Sequence, residues 1–384
     1  MPTIRSGQVA TNEVLANSLP IDMGTEVFQY DPPGAPMMKI ITKRMGSTPA
    51  KSTTVRWMED EPIPYWDQVN GAVADGTTTS ITVDNGAYFR AGNLVKAVST
   101  GEVFRVTGVV SNTLTVSRGW AGTAAAIADN AYLLNLSTAE MEGDVAPEAR
   151  STLKVEKLNY TQIVKDTVHI TGTNDAVEHY HGDERRYQQR KTGEMHARRW
   201  EEIALHGRKA ENTSLGAKPI RSAGGIDEVI STNVFSPGTT MTESEFISYV
   251  AQAFRYSVRP GRTRKILLAS TAVINTINAW GLNKLQLNDT ASQTYGMDIS
   301  TYVAGSARLE VIDHPLLETG YEGYFYFVDP DGMKYRPLQG RGTRLYQNIQ
   351  DNGEDGLKDE FRTEASFQFA LEKVHGSGSG VTFS

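Results

Sequence analysis

The stretch from Asn174 to His206, NDAVEHYHGDERRYQQRKTGEMHARRWEEIALH, contains no proline and is heavily charged throughout. Thr173 or Asn174 suits an N-cap, Asp175 and Glu178 suit the positive end of a helix dipole, and Gly207 suits the stop. At 1.5 Å per residue the pattern predicts a helix of roughly 50 Å, longer than one small domain needs. Val177, Tyr180, Tyr187, Met195 and Leu205 fall within about 80° of one another on that helix. They form a broken apolar stripe expected to lie on a sheet. Gly182, Gly193, Ala197 and Ala204 fall on the other side with Trp200, a small-residue face that another element could approach closely. Each glycine costs about 1 kcal/mol relative to alanine, which packing must offset.

The same helix carries a charge ladder. Arg190, Glu194, Arg198 and Glu202 alternate in sign at four-residue steps, each pair worth about 0.2–0.5 kcal/mol on an isolated helix. Two readings fit it: a solvated face, or a strut whose polar faces turn to neighbouring subunits. Neither is catalytic.

A chain of 384 residues has room for two or three domains with proper cores, and 22% charged with 39% hydrophobic residues is ordinary for a globular protein. The net charge of -7 argues against a dedicated nucleic-acid binder. The absence of cysteine excludes disulfides and cysteine-ligated zinc, so stability must come from packing and association. The start, MPTIRSGQVATNEV, lacks the blocks of a signal peptide, and no stretch approaches the roughly 20 apolar residues of a membrane span. The chain is expected in a reducing cytoplasm, or to leave it without secretion.

Residues 1 to about 45 read as an extended arm. Proline punctuates DPPGAP at Asp31 to Pro36, and the apolar Met37 to Ile41 is expected to finish its packing on a neighbour. From Ser52 the text turns to strand. Val55 and Trp57 lead into an exposed turn at Glu59, Asp60 and Glu61, which Pro62 and Pro64 end. Trp57, Tyr65 and Trp66 fit core or contact anchors better than a ligand platform. Between Val69 and Leu136 lysine and glutamate almost vanish. The short strands SITV, LVKAV, EVFRVTGVV, TLTVSRG and AYLLNL alternate with turn signals, predicting a small inserted barrel or sandwich. A second extended stretch from Thr152 to Thr171 alternates at Val155, Leu158, Tyr160, Ile163 and Val168, with one slip in phase, and is expected to pair with the first as a long hairpin.

Beyond Gly207, Thr242 and Glu245 form a capping box for the helix ESEFISYVAQAFRYS. RKILLAS reads as a buried strand, TAVINTINAW as a helix and RLEVIDH as a strand. YEGYFYFVDPDGMKYRPL reads as a hairpin turning at Asp329 to Gly332, DEFRTEASFQFALEKV as a strand, and HGSGSG as a flexible tail.

Sites for chemistry are weak. His179, His181 and Glu184 lack metal spacing, because 179 and 181 point about 200° apart on a helix. Asp351 to Gly356 lacks the 12-residue calcium pattern. Gly340-Arg341-Gly342-Thr343-Arg344 carries no Walker lysine, though its arginines suit nucleic acid or an acidic neighbour. No G-x-S-x-G serine exists. No catalytic residue, metal or cofactor is expected.

Element order carries more than any motif. APMMKIITKRMGSTPAKSTTVRWMEDE, the 174–206 helix, and ILLAS followed by a helix together make the sequence resemble the major capsid proteins of tailed bacteriophages. The resemblance implies an α+β Hong Kong 97-like fold: an N-arm over 1–45, an extended loop over 46–170, and a peripheral domain over 171–240 and 331–384. In that scheme 174–206 is the spine helix and 241–330 the axial domain. The insert at 69–136 departs from the minimal fold. The likeness further implies a virion shell of hexamers and pentamers of this one chain around double-stranded DNA, no enzyme activity, and a portal. It also implies a separate or cleaved scaffolding protein. Contact between subunits is then expected at Arg190, Glu194, Arg198, Glu202, Trp57, Glu59, Asp60 and Glu61. Another phage structural component (tail or decoration), or a carbohydrate-binding or carbohydrate-active protein with a β-module, are the other readings.

Overall fold

The structure, a computed structural model, describes residues 36–44, 47–143, 145, 147, 149–180, 182–214, 216, 218–236, 240–258, 264–281, 300–304, 307–318 and 320–381. The expected arm before residue 36 lies outside them. Helix α1 (Pro36–Arg44) opens the described chain and is followed by strand β1 (Thr54–Glu59). Then come β2 (Trp66–Gln68), β3 (Ser80–Thr82), β4 (Asn93–Ala97), β5 (Val103–Val110), β6 (Thr113–Ala121) and β7 (Tyr132–Thr138). Strands β8 (Val155–Tyr160) and β9 (Gln162–Thr171) lead to helices α2 (Gly172–Ala176) and α3 (Glu184–His206). After β10 (Ala210–Asn212), β11 (Ile220–Ser222), α4 (Ile226–Val229) and β12 (Val234–Phe235) the chain alternates: α5 (Glu243–Ala253), β13 (Arg264–Ala269), α6 (Thr271–Gly281). It ends with β14 (Ser300–Ala304), β15 (Ala307–Asp313), β16 (Phe325–Val328), β17 (Met333–Pro337), β18 (Arg344–Tyr346), β19 (Gly356–Phe369) and β20 (Gly376–Gly378).

Two compact units result, one of residues 58–156 and one of the residues up to 57 together with 157 onward. The smaller is a six-stranded antiparallel sheet in the order β2-β7-β4-β5-β6-β3. Its terminal strands meet through a Val69–Val83 bridge, with Asn70 N donating to Thr82 O at 2.9 Å and Asp84 N to Gln68 O at 3.1 Å. Alternation sends Ile81, Val83, Val95, Phe104, Val106, Leu114, Val116 and Leu133 into one core, each at most 3% exposed. Inside sits one buried ion pair. Glu102 accepts from Arg118 at 2.7 and 2.8 Å and from the amides of Gly119 and Ala125, while Arg118 also donates to the carbonyls of Asp75, Thr78 and Ala125. With its polar atoms so partnered, the pair ties three turns together.

The larger unit holds two sheets. In one, β19 pairs with β17 over residues 365–369, with β18 over 360–362 and with β9 over ten residues, from Gly356–Thr171 to Ala365–Gln162. The other runs β12-β20-β16-β13-β15-β14. Helices α5 and α6 cover one of its faces, where Phe246, Val250, Val273 and Ile277 pack on Leu267, Leu309, Phe325 and Phe327. On the opposite face Met37 and Ile41 of α1, Ile226 of α4, and Trp200, Ala204 and Leu205 of α3 pack on Ile266, Leu268, Tyr326 and Val328. Covered on both sides, β13 and β16 are buried throughout except for Arg264, which is why they read as continuous rather than alternating apolar runs.

Several expectations need correction. The long helix starts at Glu184, so at 23 residues it is about 35 Å long. Gly182 takes φ +90° and Asp183 caps α3 by accepting from Arg186 N, which breaks the helix from Asn174. Its expected stripe is not the buried face: Val177 and Tyr180 lie outside it and Met195 is exposed. Of the small-residue face, Trp200 and Ala204 are in the core and Gly193 is so close that a Cβ there would stand 3.2 Å from Phe361 of β19, whereas Ala197 is exposed; of the apolar stripe, Leu205 alone is buried. Met37 to Ile41 is helical, opens on Pro36 at the first helical position, and packs on its own chain. Strand β1 does pair with β8, but β9 pairs with β19. Asp329 to Gly332 joins two sheets rather than closing a hairpin, since β16 pairs with β13 and β20 while β17 pairs with β19. Finally, His375 to Gly378 is buried, and Gly376 to Gly378 forms β20. A Cβ on Gly378 would lie 2.0 Å from the Phe325 ring, so glycine there serves close packing, not flexibility.

Candidate assembly surfaces

The four ladder residues Arg190, Glu194, Arg198 and Glu202 are all exposed on α3. Arg198 Nε lies 3.6 Å from Glu202 Oε1, both side chains about half exposed, and the Arg190 guanidinium sits 5.8 Å from the Tyr187 ring. Solvent screening leaves such a pair well under 1 kcal/mol. Trp57 and Glu59 on β1 are half-buried, whereas Asp60 and Glu61 are exposed, with Asp60 accepting from Thr152 Oγ1 at 2.7 Å.

Beneath α3 lies a set of buried polar contacts that pattern reading missed. Near its N-terminus Arg185 donates to both Asp359 oxygens at 2.7 and 2.8 Å, and Gln189 and the Asn348 amide donate to the same carboxylate. The Arg185 hydrogen bonds, reinforced by the other two, hold the Asp359 carboxyl at about 2. About two turns past Gln189, buried His196 meets Asp166 through Nδ1 at 2.7 Å and Thr363 Oγ1 through Nε2 at 2.7 Å, with Thr363 hydrogen-bonded to Thr343 at 2.8 Å. Arg199 reaches the other Asp166 oxygen at 2.9 Å. Last, Glu201 is fully buried. Its carboxylate accepts from Met37 N at 2.6 Å, Met38 N at 2.7 Å and His314 Nε2 at 2.7 Å, and so caps α1 from a distant point in sequence. The available signal was charge and histidine at positions 196 and 201, flanking Trp200 on the small-residue arc.

The sites set aside for chemistry stay apart. His179 Nε2 meets Asn174 O at 3.0 Å, and His181 lies outside the described residues. Asp351 to Gly356 forms a turn in which Asp351 N donates to Glu354. Arg341 pairs with Glu364 at 2.5 Å, and Gly340 takes φ +77°. Among the described residues no group of three His, Asp or Glu side chains could hold a metal ion, and no helix is long and apolar enough to cross a membrane.

The larger unit is thus a two-sheet α+β body with a long charged helix packed against it. The chain is similar to the capsid subunit of the native GTA particle, with a TM-score of 0.52 at 6% identity over 98% of this chain and 99% of that one. It is also similar to the chain of Mycobacterium phage Ogopogo, with a TM-score of 0.50 at 11% identity over 97% and 99%. At those identities the likeness is one of fold, the Hong Kong 97-like capsid fold. In sequence, the major capsid protein of Pseudomonas phage PaMx41 is 27% identical over 341 residues, covering 86% of this chain and 81% of the relative. The model of the SU10 major capsid protein family matches residues 5–382, and the chain belongs to that family. It is a shell-forming major capsid protein of a bacteriophage and part of the virion.

Proposed function

We propose that this chain builds an icosahedral shell of hexamers and pentamers around double-stranded DNA, working by self-association with no turnover. The observation that carries the reading is the match of residues 5–382 to a family of shell proteins. In this scheme the residues before 46 are the N-arm, 46–170 the extended loop and 241–330 the axial domain. Residues 171–240 and 331–384 form the peripheral domain around α3, except that β12 and β20 join the axial sheet by their pairing. The insert at 69–136 is a small closed barrel that does locally what a separate decoration protein would do. The Val69–Val83 bridge and the single core of residues 69–133 support that reading. Arg190, Glu194, Arg198 and Glu202 of α3, with Trp57, Glu59, Asp60 and Glu61 of the β1 segment, make contacts between subunits. Assembly takes place in the host cytoplasm with a scaffolding protein, on a portal, and DNA is held without sequence specificity.

The test is expression with the scaffolding partner followed by electron microscopy. Closed shells are expected; only small discrete oligomers under every condition would overturn the proposal.

A further inference from the structure

Within the smaller unit, the start of β2, the start of β4 and the end of β7 border an open cleft of about 350 Å³. Small-molecule sites run from roughly 300 to 1,000 Å³, so it has room for one compact ligand. Tyr65, just before β2, lines it with a ring that is 70% exposed. The register of β4 on β7 steps from Leu94–Ser137 to Val95–Asn135, which leaves Leu136 as an extra residue in β7. A regular strand would send alternate side chains to opposite faces. The bulge re-aims them, and Asn135, Leu136 and Ser137 all line the cleft.

Its charge runs against that of the unit around it. Asp and Glu outnumber Lys and Arg about two to one in residues 58–156, yet Arg90 and Arg150 line the cleft and, among the described residues, no carboxylate does. Arg150 is held by a bond to the Ala87 carbonyl. The half-buried Arg90 side chain makes no hydrogen bond or ion pair to another described residue. Its backbone is pinned from below, because Asn93, 4% exposed, accepts from Arg90 N through Oδ1 at 2.7 Å. A positioned guanidinium without an anion calls for one from outside. A nucleic-acid strand binds through many phosphates and is repelled by an acidic unit. Free phosphate would use the cations and leave the Tyr65 ring and Leu136 in water. A sugar with one carboxylate uses the whole surface. The acid meets the arginine fork in two hydrogen bonds, the C–H face of the pyranose lies on the tyrosine ring, and Asn135 and Ser137 can both donate to and accept from its hydroxyls. One charge at the end of a glycan chain also escapes most of the repulsion that a polyanion would meet.

We propose that this cleft binds a terminal acidic sugar, a pyranose carrying a single carboxylate of the uronic or sialic acid type. The site lies within the smaller unit alone, so its test does not depend on shell formation. Saturation-transfer NMR on the full chain, as subunit or particle, uses glucuronic acid, N-acetylneuraminic acid and neutral glucose as probes. Transfer to at least one of the acids is expected, with glucose weaker or silent. Arg90→Gln should weaken binding of the acid roughly 10- to 100-fold, and Tyr65→Ala about 2- to 10-fold. Lys96→Gln, which removes an exposed cation outside the cleft, should leave it unchanged. No transfer from either acid, or equal losses in Arg90→Gln and Lys96→Gln, would overturn the proposal. Inorganic phosphate binding as well as the acids, with Tyr65→Ala without effect, would reduce the cleft to a bare anion site. An oligothymidylate that binds where no sugar does, and is lost in Arg90→Gln, would assign it to nucleic acid. Either result overturns the sugar reading.

Discussion

Replacing Glu201 by alanine should be among the costliest single changes in the larger unit. The carboxylate is fully buried and receives three hydrogen bonds, from Met37 N, Met38 N and His314 Nε2, all at 2.6–2.7 Å. In Glu201→Ala the two amides keep their place in the first turn of α1, where no helical carbonyl can serve them. His314, also fully buried, loses its partner as well. An unpaired buried donor costs about 1–3 kcal/mol, and removing one member of a buried polar pair costs roughly 3–5 kcal/mol. Relaxation of α1 into solvent caps the total, so a loss of about 3–5 kcal/mol is expected against a total stability of roughly 5–15 kcal/mol. Glu201→Gln keeps one acceptor oxygen but turns an amide donor towards other donors, and should fall only slightly short of the alanine variant. Urea unfolding of the unassembled subunit measures the loss, and hydrogen exchange locates it at residues 37 and 38. A loss below about 1 kcal/mol, with those amides still protected, would refute the assignment of Glu201 as the cap of α1.

Four further outcomes follow from the same geometry. Gly378→Ala drives a Cβ to within 2.0–2.6 Å of three Phe325 ring atoms, so a loss of about 3 kcal/mol or more and a fall in soluble yield are expected, with Ser379→Ala near neutral as comparison. Glu102→Gln leaves the Arg118 guanidinium, 5% exposed, without its anion, and should cost about 3–5 kcal/mol, read as faster proteolysis within residues 58–156 while the rest of the chain stays protected. Burial, with the Lys265 charge adding to it, pushes His375 down to about 3; the unfolded chain therefore binds the extra proton between roughly pH 6.5 and 3, and stability present above that window is lost as pH falls through it. That contribution is on the order of 4–5 kcal/mol, so acid titration of unfolding should be visibly flatter in His375→Gln. Charge reversal in Arg198→Glu should move the subunit's melting temperature by no more than a degree or two but lower shell yield, and a large stability loss with normal assembly would contradict a contact role.

Much of the fold was legible because local signals and tertiary structure agree. The module's five strands read from SITV to AYLLNL are all present as β3 to β7, with Gly92 and Gly101 at positive φ and a two-residue turn at Ser111 and Asn112, where their turn signals stood. The Thr242–Glu245 capping box forms with both hydrogen bonds. Failure came where a distant partner overrode a local preference. HGSGSG has the composition of a linker, yet Phe325 and Phe327 need a strand without side chains beside them, and only the fold reveals those rings. DPDG has the composition of a hairpin turn, yet both edges of β16 are taken, by β13 and by β20, and β17 pairs with β19 instead. For the residues proposed to make contacts, the sequence marked charge and exposure. It carried no cross-strand register, so the β7 bulge at Leu136 and the cleft it shares with Arg90 stayed invisible.

The misread face of α3 has a physical reason that bears on how this helix works. An apolar stripe would let the helix slide or rotate on the sheet, because dispersion and burial are non-directional. Here it is seated by polar contacts as well: Arg185 and Gln189 on Asp359, His196 on Asp166 and Thr363, Glu201 on His314 and α1. Each has one hydrogen-bonding geometry, and a shift of one residue along the helix would leave the buried ones, Asp359, His196, Asp166, Thr363, Glu201 and His314, unpaired at once. Gly193 sets the distance of approach at Phe361, and the polar contacts set the register. Such a helix is a poor sliding element and a good rigid one. Force applied to its exposed charged face, the contact role proposed for it, would be carried into both sheets and α1 together.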